Sequence, residues 1–430
     1  MTARIAQADG GLMAPGTPIA ARLRAKAREL DARDPLAAFR ERFFCDPAVL
    51  YFDGNSLGLL SRDAEAALLR ALDQWKRLAA RAWLEAVPPW VDYGERLGAR
   101  VAALVGAAPE EVVVTGSTTV NLHHLVAAFY RPDETRHAIV AAATEFPSDL
   151  HALAGQIALR GRDPDRSLRL IPPREDGVIQ EKDIESALGP DTSLLVLSAV
   201  LFRTSQWFDM ARLTRAAHAA GARVIWDLSH AVGAVPVELN RIGADAAFWC
   251  HYKYLHAGPG AVGGLYLNRR HSAIRPALPG WWGQSVEAKF EMSGRHAPAP
   301  GAAAWQIGTI PILAAAPLWG ALDLVEAAGI GRIREKSVAL TSFLVECIDA
   351  LLPDGVTGVR VGSPRDPERR GGHIAVECPG DAAAMTSSLE SRGVVADYRP
   401  PSILRLTPAP LTTRFEDVLR VVEVVGEVSA

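Results

Sequence analysis

The sequence predicts an α/β protein: a large domain with a mostly parallel sheet of seven strands between helices, and a smaller α+β domain. Seven apolar runs have the length and composition of buried strands: Glu111–Val114, Ala138–Ala142, Leu168–Ile171, Ser193–Ser198, Arg223–Trp226, Ala246–Trp249 and Gly264–Leu267. Helical patterns separate several of these runs. Strand–helix alternation over this length is typical of an open parallel sheet.

Three helical patterns belong to the large domain. One spans about Ser148–Arg160, with Ser148 and Asp149 as possible caps, and another spans Met210–Ala220 and ends at Gly221, the usual C-terminal glycine. Earlier in the chain, one face of a long amphipathic helix is predicted from its spacing: Leu68, Leu72, Trp75, Ala79 and Ala82.

The pattern changes after about Pro311. A long helical region, Pro317–Leu352, leads to short strands near His373–Glu377 and Ile403–Leu406, and a last helix opens with a capping-box pattern at Thr413–Glu416. Ser363–Gly372 is predicted to be a surface loop. We predict a tail and a segment joining the small domain over residues 1–50, with the first sixteen residues loose. The large domain then covers residues 51–310 and the small domain residues 311–430.

Composition excludes several classes of protein. The 430 residues are 49% hydrophobic and 22% charged with a net charge of -3, which offers no basic surface to nucleic acid or an anionic membrane. The four cysteines include no CxxC pair, which argues against structural zinc and a disulfide framework and fits a reducing compartment. No apolar run reaches membrane-spanning length, and no signal-peptide core is evident. We therefore expect a cytoplasmic enzyme.

Lys253 is the most informative single residue. It follows the apolar run Ala246–Trp249 closely, and it is one of only six lysines in the chain. A lysine amine shielded from water at a strand end is a usable nucleophile or Schiff-base former. The alternative is a structural lysine whose amine reaches solvent.

Asp227 and His230 follow the preceding strand, Arg223–Trp226, so they are expected at the same edge of the sheet as Lys253. A carboxylate for a pyridine nitrogen and a lysine for an aldehyde are what pyridoxal phosphate requires. Taken singly, Asp227 could be a helix cap and His230 a structural histidine. Together with Lys253 they favour the cofactor.

A phosphate cradle is predicted where the first strand meets its helix. Thr115–Thr119 places backbone N–H groups and several hydroxyls at a helix N-terminus, which suits a phosphate, although hydroxyl-rich caps are common. Phe146 follows the next strand and could stack on a flat ring, although an isolated phenylalanine more often belongs to the core.

Two other ligands are disfavoured. Gly258–Gly263 satisfies G-x-G-x-x-G, but these glycines contain a proline and precede a strand instead of opening a helix, which argues against a nicotinamide cofactor. His230, His251, His256 and Asp227 lack the helix-face spacing of a metal site.

Five motifs occur together in an order that resembles one family, kynureninase, a pyridoxal-phosphate enzyme of the aspartate-aminotransferase fold type (fold type I). They are Gly54–Gly58, Thr119–His123, Phe146–Asp149, Asp227–Gly233 and Trp249–Leu255, and the likeness continues to Arg405–Leu411. The resemblance implies a homodimer with active sites at the subunit interface, and no metal. It also implies hydrolytic cleavage of the Cβ–Cγ bond of L-kynurenine to anthranilate and L-alanine, in tryptophan catabolism and NAD biosynthesis.

The resemblance also assigns residues. Lys253 would carry the cofactor as a Schiff base, Asp227 would pair with the pyridine nitrogen, and Tyr252 would move protons at the substrate. The other implied cofactor contacts are Thr118, Thr119, Phe146, Asp149, Ser198, His230 and Tyr252, with Trp281 and Thr309 coming from the neighbouring subunit. Arg405 would bind the substrate α-carboxylate, and the other implied substrate contacts are Trp83, Ser56 and Asn55.

Three positions depart from the family or bear on its specificity. Ser205 stands where the family usually has glycine. Trp83 and Thr309 stand where the animal enzymes, which favour 3-hydroxykynurenine, carry His and Asn, so we expect unsubstituted L-kynurenine to be preferred. The alternatives are a related fold type I lyase, such as a cysteine desulfurase or selenocysteine lyase, and a catalytically silent scaffold. A silent relative should have lost Lys253, Asp227 or Arg405.

Overall fold

The computed structural model describes residues 17–429, so the predicted tail over the first sixteen residues lies outside the described part. Its strands, numbered in chain order, are β1 Leu50–Tyr51, β2 Val112–Val114, β3 Ala138–Ala142, β4 Leu168–Ile171, β5 Thr192–Ser198, β6 Arg223–Asp227, β7 Ala246–Trp249, β8 Gly264–Leu267, β9 Arg360–Val361, β10 Ile374–Glu377, β11 Val394–Val395, β12 Asp397–Arg399 and β13 Ile403–Leu406.

The α-helices are α1 Pro18–Ala32, α2 Arg62–Leu78, α3 Ala82–Glu85, α4 Tyr93–Leu104, α5 Thr118–Phe129, α6 Pro147–Leu159, α7 Pro164–Ser167, α8 Glu181–Ala187, α9 Met210–Ala219, α10 Leu239–Ile242, α11 Val286–Phe290, α12 Ile312–Ala315, α13 Pro317–Ala328, α14 Ile330–Leu351, α15 Asp354–Thr357, α16 Ala382–Glu390 and α17 Phe415–Ser429. Short 3-10 helices occur at Ala37–Arg42, Ala79–Arg81, Pro109–Glu111, Arg269–His271, Trp281–Gly283, Gly301–Trp305 and Pro367–Arg369.

The central sheet has seven strands in the order β2-β8-β7-β6-β5-β3-β4. Its pairs are parallel except that β8 runs antiparallel to both β2 and β7. The predicted mostly parallel α/β sheet is confirmed, and every predicted strand run matches an observed strand to within one residue at each end. The runs were recognisable in the sequence because helices cover both faces of the sheet, which makes the strands apolar on both sides. Ile139 and Ala141 of β3 join the core beneath α5 and α6, and Val140 and Ala142 join the core that includes α4, α9 and α13.

A second apolar core lies in the C-terminal part of the chain. It combines α1, α14 and α17 with the four-stranded sheet β12-β13-β10-β9. Strand β1 pairs in parallel with β11, which ties the N-terminal segment to this region. Helices α12 and α13 belong instead to the core around the central sheet, where α13 packs on α2. The domain boundaries at residues 50 and 310 stay a prediction.

The structure corrects one helix prediction and resolves another into two helices. The buried face of α2 is formed by the small residues Ala64, Ala67 and Ala71, and Trp75 is 55% exposed. The helix ends at Leu78 because Ala79 adopts a φ of +47°, so the predicted apolar face does not continue to Ala82. The helical region predicted over Pro317–Leu352 is confirmed, and it consists of two helices, α13 and α14, separated by Gly329 at a φ of +80°.

Two smaller predictions near the C-terminus are also corrected. The capping box at Thr413–Glu416 does not form, because the Asp31 carboxylate accepts the N–H groups of Phe415 at 2.7 Å and Glu416 at 3.0 Å. The predicted loop Ser363–Gly372 is present, with residues 365, 366 and 368 exposed, but it is not wholly at the surface. Arg370 within it is buried and donates to the carbonyls of Pro364 and Arg365.

Among the helices of residues 17–429, no single one has both the length and the apolar composition of a membrane span. The segments Ile312–Ala328 and Ile330–Leu351 meet that test of length and composition only as a pair, across a bend of 79°.

Candidate active site

The carboxyl ends of four neighbouring parallel strands bring polar side chains to one edge of the central sheet. Glu145 follows β3, Ser198 ends β5, Asp227 ends β6, and Lys253 follows β7. Ser198, Asp227 and Lys253 border a cavity of about 210 Å³, and Glu145 lies behind Ser198. The cavity is lined by twelve residues predicted from the sequence, which are Asn55, Ser56, Thr118, Thr119, Phe146, Asp149, Ser198, Asp227, His230, Tyr252, Lys253 and Arg405.

Lys253 lies between an imidazole and two aromatic rings. Its Nζ is 2.8 Å from His230 Nε2 and 6.0 Å from the ring centroids of both Phe146 and Tyr252. Burial lowers the pKa of His230 well below its ordinary value, and the charge of Lys253 lowers it further. The imidazole is therefore neutral at neutral pH and can accept a hydrogen bond from the lysine amine.

The turn that carries Lys253 is held by the loop of the Gly54–Gly58 motif. The Gly58 N–H donates to the Tyr252 carbonyl at 2.8 Å. A Cβ at Gly58 would lie 2.4 Å from the Lys253 carbonyl oxygen and 2.5 Å from His256 Nδ1. Only glycine lets this loop lie against the lysine turn, which explains why the two segments occur together.

Asp227 is a buried carboxylate held in place by two serines. One oxygen accepts from the Ser229 N–H at 2.8 Å and the Ser229 hydroxyl at 2.5 Å, and the other lies 3.3 Å from the Ser198 hydroxyl. Burial raises the pKa of Asp227, while Ser229 and Lys253 oppose that rise. Burial also raises the pKa of Asp149 well above its ordinary value, and the neighbouring carboxyls of Asp227 and Glu145 raise it further.

Arg405 is fully buried on β13, at the opposite wall of the cavity. Its guanidinium donates to the Phe202 carbonyl at 2.9 Å, to the Ser56 hydroxyl at 3.2 Å and to the Asp397 carboxylate. Asp397 also accepts from Ser56 at 2.7 Å and from Arg399 at 2.8 Å. With its amide turned to donate to Thr407, Asn55 accepts from the Arg405 guanidinium at 3.1 Å. Two guanidinium groups thus share the Asp397 carboxylate, with the Asp53 carboxyl also close by, and a planar guanidinium suits bidentate contact with a further carboxylate.

The predicted phosphate cradle is present at the start of α5. Ser117 precedes the helix in an extended conformation, and no side chain caps the first turn. The Thr119 hydroxyl lies 2.6 Å from the Ser148 hydroxyl at the start of α6. A Cβ at Gly263 would lie 3.2 Å from the Thr118 nitrogen, so the glycines before β8 allow close packing against this helix start. The uncapped N–H groups and hydroxyls suit an anion.

Three predicted residues are not brought to the cavity by the single chain. Trp83 packs against Trp90 at a ring separation of 5.7 Å and against Trp282 at 5.4 Å. Trp281 is 46% exposed, and Thr309 is also exposed.

Sequence reasoning missed several residues of the site. Two of them hold residues that were predicted: Asp397 binds Arg405, and Glu145 binds Ser198. A strand-end position was a usable signal for Glu145 only. The structure also explains the family glycine at position 205, because buried Ser205 has a φ of +62°. The lining residues that were not assigned are Ser148, Phe202, Ser229 and Arg399.

The donor set fits a flat, anionic cofactor that carries an aldehyde. Lys253 offers the amine, Asp227 a carboxylate, Phe146 an aromatic face, and the start of α5 an anion site. Among residues 17–429, buried His230 Nδ1 and Arg399 Nε have no hydrogen-bond partner, so a polar ligand would satisfy groups that the protein leaves unpaired.

The fold and the site together define the class of protein. The chain has the fold of pyridoxal-phosphate enzymes of fold type I. The cystine C–S lyase C-DES matches with a TM-score of 0.79 at 19% identity, over 90% of this chain and 99% of that structure. The cysteine desulfurase CsdA from Escherichia coli matches with a TM-score of 0.76 at 21% identity, over 91% and 98%. At these identities the likeness shows the fold.

Sequence relatives give the family. The model of the kynureninase C-terminal domain matches residues 333–425. Kynureninase from Geobacillus thermodenitrificans is 44% identical over 402 residues, which cover 94% of this chain and 93% of that protein. A kynureninase from Bacillus cereus is 42% identical over the same shares of both chains. The chain belongs to the kynureninase family.

Proposed function

We propose that this protein is a pyridoxal-phosphate-dependent kynureninase. It cleaves the Cβ–Cγ bond of L-kynurenine with water and releases anthranilate and L-alanine. One observation carries the proposal: in a chain of this family, the Lys253 amine, the Asp227 carboxylate and the Arg405 guanidinium line the same cavity. When bound, the cofactor supplies an aldehyde for amines and a ring that withdraws electrons from the substrate.

The proposed cofactor contacts follow from the walls of the cavity. Lys253 holds the cofactor covalently, Asp227 keeps a proton at the ring nitrogen, and Phe146 covers one face of the ring. Neutral His230 accepts from Lys253 and thereby orients its amine. The remaining groups complete the pocket: Thr118, Thr119 and Tyr252 toward the phosphate, Ser198 next to Asp227, and Asp149 and His230 beside the ring.

Substrate recognition rests on Arg405, a planar bidentate donor suited to the α-carboxylate. Ser56 and Asn55, both bonded to this guanidinium, keep it in the plane in which it meets the substrate. The Lys253 amine, once displaced from the cofactor, would be the group that takes the proton from the α-carbon of the substrate.

Turnover of kynurenine is the direct test. Purified protein mixed with L-kynurenine is expected to develop anthranilate fluorescence, and more slowly to convert 3-hydroxykynurenine, because Trp83 and Thr309 offer no matching polar pair for the ring hydroxyl. Yellow protein that binds L-kynurenine but yields no fluorescence would exclude this reaction and keep only the cofactor class.

Tyr252 is the group proposed to move protons at the γ-carbon hydrate and at the β-carbon. Burial raises the pKa of its phenol above the ordinary value, so the hydroxyl keeps its proton at neutral pH. We expect Tyr252→Phe to lower kcat about 100-fold or more and to change the partition of products. The control is Tyr254→Phe, which changes the neighbouring buried phenol outside the cavity and is expected to keep normal turnover. Normal rate and partition in Tyr252→Phe would refute the role.

We further propose a homodimer in which Trp281 and Thr309 of each subunit complete the site of the other. Their exposure supports this, as does the exposure of apolar side chains around α2 and α3, namely Leu69, Trp75, Leu84 and Val87. Such side chains in contact with water are stabilised when a second copy covers them.

Complementation tests the shared site. Lys253→Ala and Trp281→Ala are each expected to lose turnover alone. After coexpression the two chains pair at random, and about half of the dimers are mixed. In each mixed dimer both changes fall in one site and the other site is intact, so about a quarter of all sites are wild type. If Trp281 served the site of its own chain, each mixed dimer would have two damaged sites and activity would stay absent.

The cysteine desulfurase alternative has less support, because the solved relatives of that class share only the fold. Of the four cysteines, Cys250, Cys347 and Cys378 are buried and Cys45 is half-buried, and none lines the cavity that contains Lys253. A silent scaffold is equally disfavoured because Lys253, Asp227 and Arg405 are all present. The predicted cytoplasmic location stays a prediction.

A further inference from the structure

Glu145 is a buried carboxyl that the proposed reaction does not use. It follows β3 and is 4% exposed. One of its oxygens accepts from the Ser198 N–H at 2.9 Å, and the other is hydrogen-bonded to the Ser198 hydroxyl. The same hydroxyl lies 3.3 Å from Asp227. Ser198, at the end of β5, therefore connects the carboxyl group that follows β3 to the carboxyl group that ends β6.

The oxygens of Glu145, Ser198 and Asp227 form a row, and the number of protons that they share decides the charge of that row. Two hydrogen bonds link Glu145, the Ser198 hydroxyl and Asp227, but the serine contributes a single hydrogen. If both carboxyls were ionised, one of them would face a lone pair of the hydroxyl. A protonated Glu145 donates to Ser198, and Ser198 can then donate to an ionised Asp227, so that every oxygen is satisfied.

The surroundings favour the proton on Glu145. Burial raises the pKa of Glu145 to about 8, while the hydrogen bonds from Ser198 oppose that rise and the charge of Asp227 adds to it. The charged groups that face this cluster are Asp227 from β6, Asp149 from α6 and Lys253 from the turn after β7. Within residues 17–429 no arginine or lysine is among the groups that act on Glu145, whereas Lys253 favours the charged form of Asp227.

We propose that Glu145 is a positioning residue that is held neutral and acts through the Ser198 hydroxyl to keep Asp227 ionised and oriented. The proposal rests on the proposed function only in taking Asp227 as the partner of the cofactor ring nitrogen. It adds a carboxyl whose neutral form, rather than its charge, matters to the site.

Infrared difference spectra of wild type and Glu145→Gln test the protonation state. Wild-type holoenzyme at pH 7 is expected to show a carboxylic-acid carbonyl band that the variant lacks and that disappears as pH rises through about 8. The folded pKa lies above the unfolded one, so this group makes the folded protein less stable as pH rises from about 4.5 to about 8. Glu145→Gln should therefore gain a few degrees of melting temperature over wild type across this window. Absence of both differences would overturn the proposal.

Cofactor binding tests the coupling to Asp227. The Kd for pyridoxal phosphate is expected to stay within about twofold for Glu145→Gln at pH 7, since the amide can donate to Ser198, and to rise about tenfold for Glu145→Leu. Ser198→Ala should match Glu145→Leu, and the double variant should be no weaker than either. Additive losses, or a Gln variant as weak as the Leu variant, would contradict the relay. None of these measurements requires kynurenine turnover, so they remain decisive if the proposed reaction is wrong.

Discussion

Lys253→Ala is expected to purify without yellow colour and to turn over L-kynurenine at least about 1,000-fold more slowly than wild type. The amine that holds the cofactor and moves the α-proton is lost, and His230 loses the group that it contacts at 2.8 Å. The measurements are the visible spectrum after dialysis and the release of anthranilate. Because Lys253 is only partly buried, the variant should fold, and circular dichroism verifies this.

The chain offers a control for this change, because it has only six lysines. Lys182 is exposed on α8 and does not line the cavity, so Lys182→Ala should keep both colour and activity. Borohydride reduction of wild-type holoenzyme should fix the cofactor to the peptide that contains Lys253, as read by mass spectrometry. Modification of another lysine, or a coloured and active Lys253→Ala, would refute the assignment of the anchor.

The central sheet could be predicted because its strands are buried on both faces. Continuous apolar runs such as Ala138–Ala142 are unfavourable in water, and helical patterns that could cover them lay between several of the runs. The same reasoning placed Asp227 and Lys253 at one edge, since parallel neighbours end together. Predictions failed where contacts distant in sequence decide. Asp31 caps α17 across the C-terminal core, and small alanines, not the larger Leu68 and Trp75, form the buried face of α2.

The residues of the site likewise divide into those that the sequence predicted and those that it did not. Strand-end residues were found from the sequence, whereas Asp397 and Arg399 lie on the short strand β12, which has no apolar run to reveal it. Arg405 was assigned by resemblance alone, and no pattern in its vicinity predicted that a carboxylate would hold it. The resemblance assigned Trp281 and Thr309 to a second subunit and Trp83 to the substrate, and a single chain brings none of the three to the cavity.

Arg405→Gln is expected to lower kcat/KM for L-kynurenine by about 100- to 10,000-fold, because a buried bidentate contact to the α-carboxylate is lost. The loss should fall mainly on KM if the contact is equal in the ground and transition states, and Arg405→Lys should lie between the variant and wild type because one charge remains without the planar fork. Steady-state kinetics with L-kynurenine measure both constants.

The substrate itself provides the control for Arg405. An analogue of L-kynurenine that lacks the α-carboxylate, tested as a competitive inhibitor, should bind wild type and Arg405→Gln with similar affinity. A difference that persists with this analogue would mean that Arg405 acts through the structure of the site rather than through the carboxylate. A variant of Asp397 separates these two explanations for the role of Arg405 further. Asp397 keeps Arg399 and Ser56 as partners after Arg405 is changed. Asp397→Asn should weaken L-kynurenine more than the analogue, because a guanidinium without its buried carboxylate partner is no longer fixed in the plane of the substrate.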